Sequence, residues 1–229
     1  MKKEAEVRDY SIVLVGVFNP LMFSPDWFKK YNIISDDDYD LITNSNSNNE
    51  IIITPAITNI KTEKFSFNAN PSRIQIRIEK EPLDNLKTIA RSILSQLGGS
   101  TISAYGLNMG SHYKINDIHE FQTIADNLTP KKYWAKFLKE NTTGDERNGG
   151  LLTLKMVNNK EDASGYVILE LSRSNLYKTG YYFACNDHTN VDIKTKDAMD
   201  VCNEIECKFL DTYNLLKQLS DDIINEACK

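Results

Sequence analysis

The chain of 229 residues contains little of what a metal site needs, with four cysteines and three histidines. It has no C-x-x-C pair and no H-E-x-x-H sequence, so the ligand spacing of the common zinc sites is missing. Cys202, Cys207 and Cys228 fall in one predicted helix, where cysteine usually packs as a small hydrophobic residue. We therefore expect structural thiols and no bound metal.

The short motifs of nucleophilic and phosphate-binding enzymes are also missing. The sequence has no G-x-S-x-G, no Walker loop and no G-x-G-x-x-G, the strings that place a nucleophile or cradle a phosphate. The run Gly98-Gly99-Ser100 follows a predicted helix and precedes a predicted strand, which is the reverse of a phosphate-binding loop. Paired carboxylates leave no trace in a sequence, so hydrolysis stays open as an alternative. We expect a protein without catalytic residues and without a cofactor.

Long hydrophobic runs are absent as well. No apolar stretch approaches the roughly 18 residues that a membrane span requires, and the longest one, residues 12–18, has the length of a strand. The first ten residues, MKKEAEVRDY, contain no hydrophobic stretch, unlike a secretory signal. We expect a cytoplasmic protein that makes no membrane contact.

Positive charge is in deficit, with a net charge of −5 and a pI near 5.3. Binding to a phosphate backbone needs clustered lysine and arginine, so we expect no nucleic-acid partner. Arg73 and Arg77 nevertheless lie on the polar side of one predicted strand, with Lys61 and Lys64 near them in sequence. They form a candidate basic patch, for which the alternative is a solvated sheet face.

The hydrophobic pattern that is present predicts an α+β fold. Residues 10–18 are nearly all apolar and rich in β-branched side chains, as in a buried central strand. Ile74, Ile76 and Ile78 alternate with polar residues, which is typical of a strand with one buried face. Apolar residues at helical spacing predict helices over about 82–97 and about 195–226. We expect mostly antiparallel sheets packed by helices.

The order of the predicted elements divides the chain into two halves, each reading strand, strand, strand, helix. We predict an N-terminal half over 1–140 and a C-terminal half over 150–229, separated by the polar, glycine-rich stretch 139–150. The N-terminal half carries three additions: a leading strand, an Asn/Asp-rich loop over 35–50, and a strand with two short helices after the main helix.

The last predicted helix is the candidate partner surface. Its apolar stripe extends over several turns, long enough to pack along a whole sheet or against another protein. We predict a protein partner or self-association, with candidate contact residues Phe209, Tyr213 and Leu216.

Polar residues that follow three predicted central strands form the candidate ligand site. Binding sites often gather at strand ends that a rigid sheet holds in place. If these ends meet at one edge, the side chains line a single pocket. The alternative is turn chemistry, because asparagine, aspartate and histidine often hydrogen-bond nearby backbone. The candidate residues are Asn19, Asn108, His112, Asn186, Asp187 and His188.

Five short strings spread over most of the chain carry a resemblance to known proteins. They are Phe18-Asn19-Pro20, Phe23 to Phe28, Gly106-Leu107-Asn108 with His112, Leu128-Thr129-Pro130 to Trp134, and Asn186-Asp187-His188. In these strings the chain resembles a sporadically distributed family of uncharacterised bacterial proteins, whose members often travel on mobile elements or in defence islands. The resemblance implies a role in conflict with phage or plasmids, and it supplies no catalytic residues.

Two functional hypotheses follow from these observations. The first is a non-catalytic component that binds a protein or a ligand, with the setting of an anti-phage defence or toxin-control system implied by the resemblance. The alternative is an enzyme or a small-ligand sensor that uses the strand-end polar residues as its pocket.

Overall fold

All the strands of the described chain join one sheet. The computed structural model describes residues 2–43, 51–79, 82–138 and 150–229. Within them the strands are β1 (Val7–Gly16), β2 (Ile51–Ile53), β3 (Thr58–Lys61), β4 (Ser66–Asn70), β5 (Arg73–Ile78), β6 (Ile102–Lys114), β7 (Thr153–Asn159), β8 (Gly165–Arg173) and β9 (Gly180–Asn190). The helices are α1 (Pro25–Lys30), α2 (Asp36–Thr43), α3 (Leu83–Leu94), α4 (Ile118–Leu128), α5 (Ala135–Leu138) and α6 (Ala198–Ala227). The predicted α+β fold is confirmed.

The nine strands follow the order β2-β3-β4-β5-β1-β6-β9-β8-β7, and every neighbouring pair is antiparallel. The strands of the two predicted halves therefore share one sheet. They meet where β6 pairs with β9, in a register that runs from Ala104 opposite Asn190 to Lys114 opposite Gly180.

Alternation along the strands gives the sheet two different faces. Ile12, Ile76 and Leu107 lie on the helix face, where they are 0–1% exposed because α3 and α6 pack against the central strands. The first helices join the same layer, since the Phe28 ring of α1 lies 5.0 Å from the Phe67 ring of β4. The residues between them, such as Ser11 of β1, point to the other face, called the open face below.

Helix α6 lies across the sheet and buries most of its apolar stripe. Phe209, Tyr213 and Leu216 are 0–1% exposed, and the Tyr213 hydroxyl donates to the Ser11 carbonyl at 2.9 Å. These side chains are occupied within the monomer, so the prediction that they form a partner surface is wrong. The helix begins with a capping box formed by Asp197 and Asp200, which satisfies backbone N–H groups of its first turn.

Two further segments differ from prediction. The first part of the predicted loop 35–50 is helix α2, because Ser35 and Asp38 form reciprocal hydrogen bonds at its start and acidic residues favour a helix N-terminus. Residues 44–50, and residues 139–149 of the predicted boundary 139–150, lie outside the described residues. The second of the two short helices predicted after the main helix is a 3₁₀ turn over Lys131–Tyr133 followed by α5. Its aromatic side chains Tyr133, Trp134 and Phe137 are exposed.

Within the part of the chain that the structure describes, none of the helices combines the length and the apolar character needed to cross a membrane.

Candidate ligand-binding trough

The open face of the sheet carries a trough over its central strands. The helices with described contacts pack on the opposite face, yet Ser11, Val13 and His112 on the open face are only 4%, 9% and 8% exposed. Neighbouring side chains of the same face therefore enclose them. The result is a concave surface with a floor of small residues.

The trough encloses a cavity of about 310 Å³, at the small end of the range for ligand pockets. Residues from six adjacent strands line it. The polar side chains of the lining are Asp9, Ser11, Gln75, Arg77, Asn108, Lys155, Glu170, Tyr182 and Asn186.

Both ends of the trough carry an ion pair. At one end Arg77 Nε of β5 lies 3.2 Å from Asp9 Oδ1 of β1. At the other end Lys155 Nζ of β7 lies 3.2 Å from Glu170 Oε2 of β8. Two cations and two carboxylates cancel, so the lining attracts neither a polyanion nor a polycation as a whole. Each end offers both a donor and an acceptor of charge-assisted hydrogen bonds.

Asparagine side chains form the centre of the floor. Asn108 of β6 stands directly opposite Asn186 of β9, and Gly106 beside them leaves the space of a side chain open. A Cβ on Gly106 would lie 3.6 Å from Asn186 Oδ1 and 3.7 Å from the Asn108 amide. Asn186 Oδ1 is buried and has no hydrogen-bond partner among the described residues. An orphaned buried acceptor is costly, which makes this atom a candidate acceptor for a ligand donor.

Gly110 provides the close approach that brings the charged end together. A Cβ at this position would lie 2.6 Å from Tyr182 Oη and closer still to Asp9 Oδ2. Any larger residue would displace both groups. The absence of a side chain at Gly110 thus lets the carboxylate and the phenol reach over the strand between them.

His112 supports the wall of the trough next to Tyr182. The two rings lie 4.5 Å apart. Burial lowers the pKa of His112, and the Asp9 carboxylate opposes this effect in part. Burial also raises the pKa of Asp9, against the effect of Arg77. Burial thus disfavours the charged form of both groups.

Ser174 and His112 resemble the nucleophile and base of a hydrolase in distance only. Ser174 Oγ lies 2.9 Å from His112 Nδ1, but it also accepts the backbone N–H groups of Leu176 and Tyr177 at 3.1 and 3.2 Å. These two bonds occupy the lone pairs of the hydroxyl, so its proton points to Nδ1. We assign Ser174 to capping the turn after β8, because the two backbone N–H groups hold its hydroxyl in that turn.

The structure separates the six residues of the predicted ligand site. Asn108 and Asn186 line the trough, and His112 lies behind its wall. Asn108 and His112 lie within β6, and the residues from Asn186 to His188 lie within β9. The predicted strand-end placement is therefore wrong for all five. The sequence pattern missed this because both strands continue through polar residues.

The other three residues of that set lie elsewhere. Asn19 follows β1 and caps the 3₁₀ turn Pro20–Met22, accepting the Leu21 N–H at 3.2 Å. Asp187 points to the helix face, where it pairs with Lys160 at 2.5 Å. His188 is on the open face but stacks on Tyr166 with ring centres 4.6 Å apart. None of the three lines the trough.

The candidate basic patch is also divided. Arg77 is paired with Asp9 in the trough, whereas Arg73 lies outside it and reaches Gln75 at 3.5 Å. Lys64 pairs with Asp38 of α2 at 2.6 Å. These partners leave a mixed polar face at this position and not a concentrated positive surface.

Sequence reasoning missed the carboxylates and the phenol of the trough. Asp9 lies near the start of β1, and Glu170 and Tyr182 alternate with apolar residues in β8 and β9. Period-two alternation therefore assigns each of them to a polar face. It does not reveal which polar faces belong to neighbouring strands, because that depends on the strand order.

Comparisons with known proteins add no identification: the sequence matches no protein-family model and no curated protein.

Proposed function

We propose that the protein is a non-catalytic binding protein that holds a small, net-neutral polar molecule in the trough. The cavity of about 310 Å³ suits a ligand the size of an amino acid, a nucleoside or a sugar. A zwitterion or an uncharged polyol fits the balanced ion pairs at the two ends. A polyphosphate does not, because each cation of the lining already faces a carboxylate.

The observation that carries this proposal is the orphaned acceptor Asn186 Oδ1 in the middle of the floor. Buried polar groups are almost always paired in folded proteins. Here the unpaired oxygen lies beside the open space over Gly106 and opposite a second amide, Asn108. A ligand that donates to Asn186 and bonds to Asn108 satisfies both.

The test is a panel of uncharged and zwitterionic compounds, consisting of amino acids, nucleosides and monosaccharides, with ATP as the polyanionic comparison. Binding is measured by thermal shift and then by calorimetry. We expect at least one net-neutral compound to bind, and Asn186→Ala to weaken it about tenfold, the effect of one lost buried hydrogen bond. Asn68→Ala is the matched control, since Asn68 shares the open face on β4 but does not line the trough.

Two outcomes contradict the proposal. One is a panel in which only ATP binds, since the trough is argued to be net-neutral. The other is a net-neutral ligand whose affinity falls equally in the Asn186 and Asn68 variants, because binding would then take place elsewhere on the face.

A second candidate function is acid–base chemistry in the same trough. The observation that favours it is the pair of shifted groups at one end, where the pKa of Asp9 is raised and that of His112 is lowered. Perturbed groups of this kind gather at active sites. The two functions separate in the Asp9→Asn variant: an enzyme would keep its ligand and lose turnover, whereas a binding protein shows no turnover in either form.

A role in anti-phage defence or toxin control stays a prediction, supported by the sequence resemblance alone. Its test is to challenge host cells that carry the wild-type gene, the Asn186→Ala gene or no gene with a panel of phages. Equal plaque counts in all three would remove this setting and leave the trough proposal untouched.

A further inference from the structure

Strand β7 forms one edge of the sheet and exposes unusual apolar surface. Among the described residues no strand pairs with its outer side. Met156 and Val157 are each 63% exposed, and Leu152 just before the strand is 71% exposed. The opposite edge, β2, has only three residues, whereas β7 has seven. A long, regular edge with exposed apolar residues is a template for pairing with another strand.

One hydrogen bond fixes which backbone groups of β7 face outward. The Lys160 N–H donates to the Gly165 carbonyl at 2.9 Å, so the backbone N–H and C=O groups of Lys160 point toward β8. The backbone N–H and C=O groups of successive residues point alternately to the two sides of a strand. Positions 158, 156 and 154 therefore also face β8, and the outward-facing backbone groups belong to Thr153, Lys155, Val157 and Asn159.

We propose that two copies of the chain pair through β7, antiparallel and centred on Met156. In this register Met156 lies opposite its own counterpart, Lys155 opposite Val157, and Thr153 opposite Asn159. All outward-facing residues then fall at hydrogen-bonded positions, each pair exchanging two backbone bonds. The two sheets become one continuous sheet across a two-fold axis.

The charge of Lys155 favours this register over the register centred on Lys155 itself. Lys155 is the only charged residue of β7. Centring the pairing on Lys155 would place the two lysines directly opposite each other, which is destabilising. Centring it on Met156 places each lysine beside a valine, while its ammonium keeps Glu170 as its partner. The strand is thus self-complementary when Met156 meets Met156.

An apolar hollow beside the strand extends the surface available to the second copy. A cavity of about 360 Å³ lies next to the start of β7, lined among others by Trp134, Phe137, Leu151 and Leu152. Trp134 and Phe137 are 56% and 81% exposed. In the antiparallel arrangement the partner chain leaves its β7 at this end, because its Asn159 lies opposite Thr153. Strand pairing and aromatic contact therefore occur on one continuous surface.

Dimer formation does not depend on a ligand, but it brings two troughs together. Lys155 and Val157 lie on the open face at the β7 end of each trough. The two troughs then become neighbours on one face of the joined sheet.

The first experiment is a cysteine cross-link in the full chain, made in a Cys207→Ser background to remove the exposed native thiol. Met156→Cys is expected to form a covalent dimer under mild oxidation, because Cα atoms at a non-hydrogen-bonded antiparallel pair lie about 4.5 Å apart, within disulfide range. Leu154→Cys is the matched control on the same strand and face. Its counterpart lies four positions away, about 13 Å along the strand. Equal cross-linking of both variants, or of neither, overturns the register.

The second experiment measures self-association by sedimentation equilibrium. Met156→Lys and Met156→Glu are each expected to weaken the dimer at least tenfold, and their mixture is expected to form a heterodimer. Val157→Pro should also give a monomer that remains folded, because it removes only an outward-facing N–H. A monomeric wild-type protein, or a Val157→Pro variant that still dimerises, overturns the proposal.

Discussion

At the scale of single residues, the two glycines of β6 have different surroundings. Gly106 has room for a methyl group, whereas Gly110 does not, since Tyr182 Oη and Asp9 Oδ2 occupy that space. Both lie in β6 on the open face, four positions apart. They therefore form a matched pair for testing whether the close approach of Asp9 and Tyr182 to Gly110 affects stability.

We expect Gly110→Ala to displace Asp9 and Tyr182 and to destabilise the fold by about 1–3 kcal/mol, the usual effect of overpacking. Gly106→Ala should be neutral or stabilising by up to about 1 kcal/mol, because glycine in a strand is entropically unfavourable. Urea unfolding of the two variants measures the difference. Equal stability of the two would show that the Asp9 and Tyr182 side chains move aside freely.

His112 should make stability depend on pH. Its pKa is below its ordinary value of 6.5 because burial disfavours the imidazolium. The unfolded chain therefore binds more protons than the folded one in this window. The stabilisation is present above the unfolded pKa and is lost as pH falls through the folded pKa. We expect the free energy of unfolding to fall between about pH 7 and about pH 5, and His112→Gln to reduce that fall.

His119→Gln is the control for this measurement, because His119 is an exposed histidine of α4. Asp9 acts with the opposite sign, since its raised pKa means that stability is lost as pH rises through the pKa of its folded form. Comparing each variant with the wild type at every pH isolates the histidine. An unchanged pH profile in His112→Gln would contradict the assignment.

At the scale of elements, one buried ion pair holds α6 to the central strands. Arg8 of β1 lies 2.7 Å from Asp221 of α6, and both side chains are largely buried. The Tyr113 hydroxyl of β6 donates to the same carboxylate at 2.5 Å. Asp221 therefore connects the last helix to the two strands in the middle of the sheet.

Removing the Asp221 carboxylate alone should destabilise the protein far more than replacing both Arg8 and Asp221 with apolar residues. We expect Asp221→Ala to destabilise the protein by about 3–5 kcal/mol, because it leaves a buried guanidinium without its anion. The double variant Arg8→Met with Asp221→Leu should recover much of that loss, since packed apolar residues often replace a buried ion pair without cost. Thermal unfolding of both variants is the measurement. If the double variant is as unstable as Asp221→Ala, the charge argument is wrong.

Local patterns explain why most elements were predictable. The alternating isoleucines of β5 and the helical spacing in α3 and α6 each reflect one buried face, which the structure contains. The apolar stripe of α6 was predicted, but the assignment of Phe209, Tyr213 and Leu216 to a partner surface was wrong. Helical spacing gives the width of an apolar stripe and not what covers it, so Phe209 suits a second protein as well as the sheet of its own chain.

The trough was less predictable, because it is a product of strand order. Asn108 and Asn186 are 78 positions apart in the printed sequence and become neighbours only through the pairing of β6 with β9. Asp9 and Arg77 meet across β1 and β5 in the same way. Single-strand alternation places each of these residues on a polar face, and long-range pairing decides which polar faces meet.

At the scale of the whole molecule, the shared sheet bears on whether the two predicted halves are independent. Strand β6 pairs with β1 on one side and with β9 on the other. Helix α6 follows β9 in sequence but packs on β6 and α3 of the N-terminal half. The buried stripe of α6 therefore has much of its covering surface in the other half of the chain.

This arrangement predicts that the segment 150–229 does not fold alone. Isolated, it would expose the apolar face of α6 that now packs on β6, and one edge of β9 would lose its pairing with β6. We expect its circular dichroism to show no cooperative unfolding, and the intact chain to unfold in a single transition. Co-expression with residues 1–138 should restore the native signal, because antiparallel pairing and helix packing need no covalent link between the pieces. Cooperative unfolding of 150–229 alone would instead show two autonomous domains that happen to share a sheet.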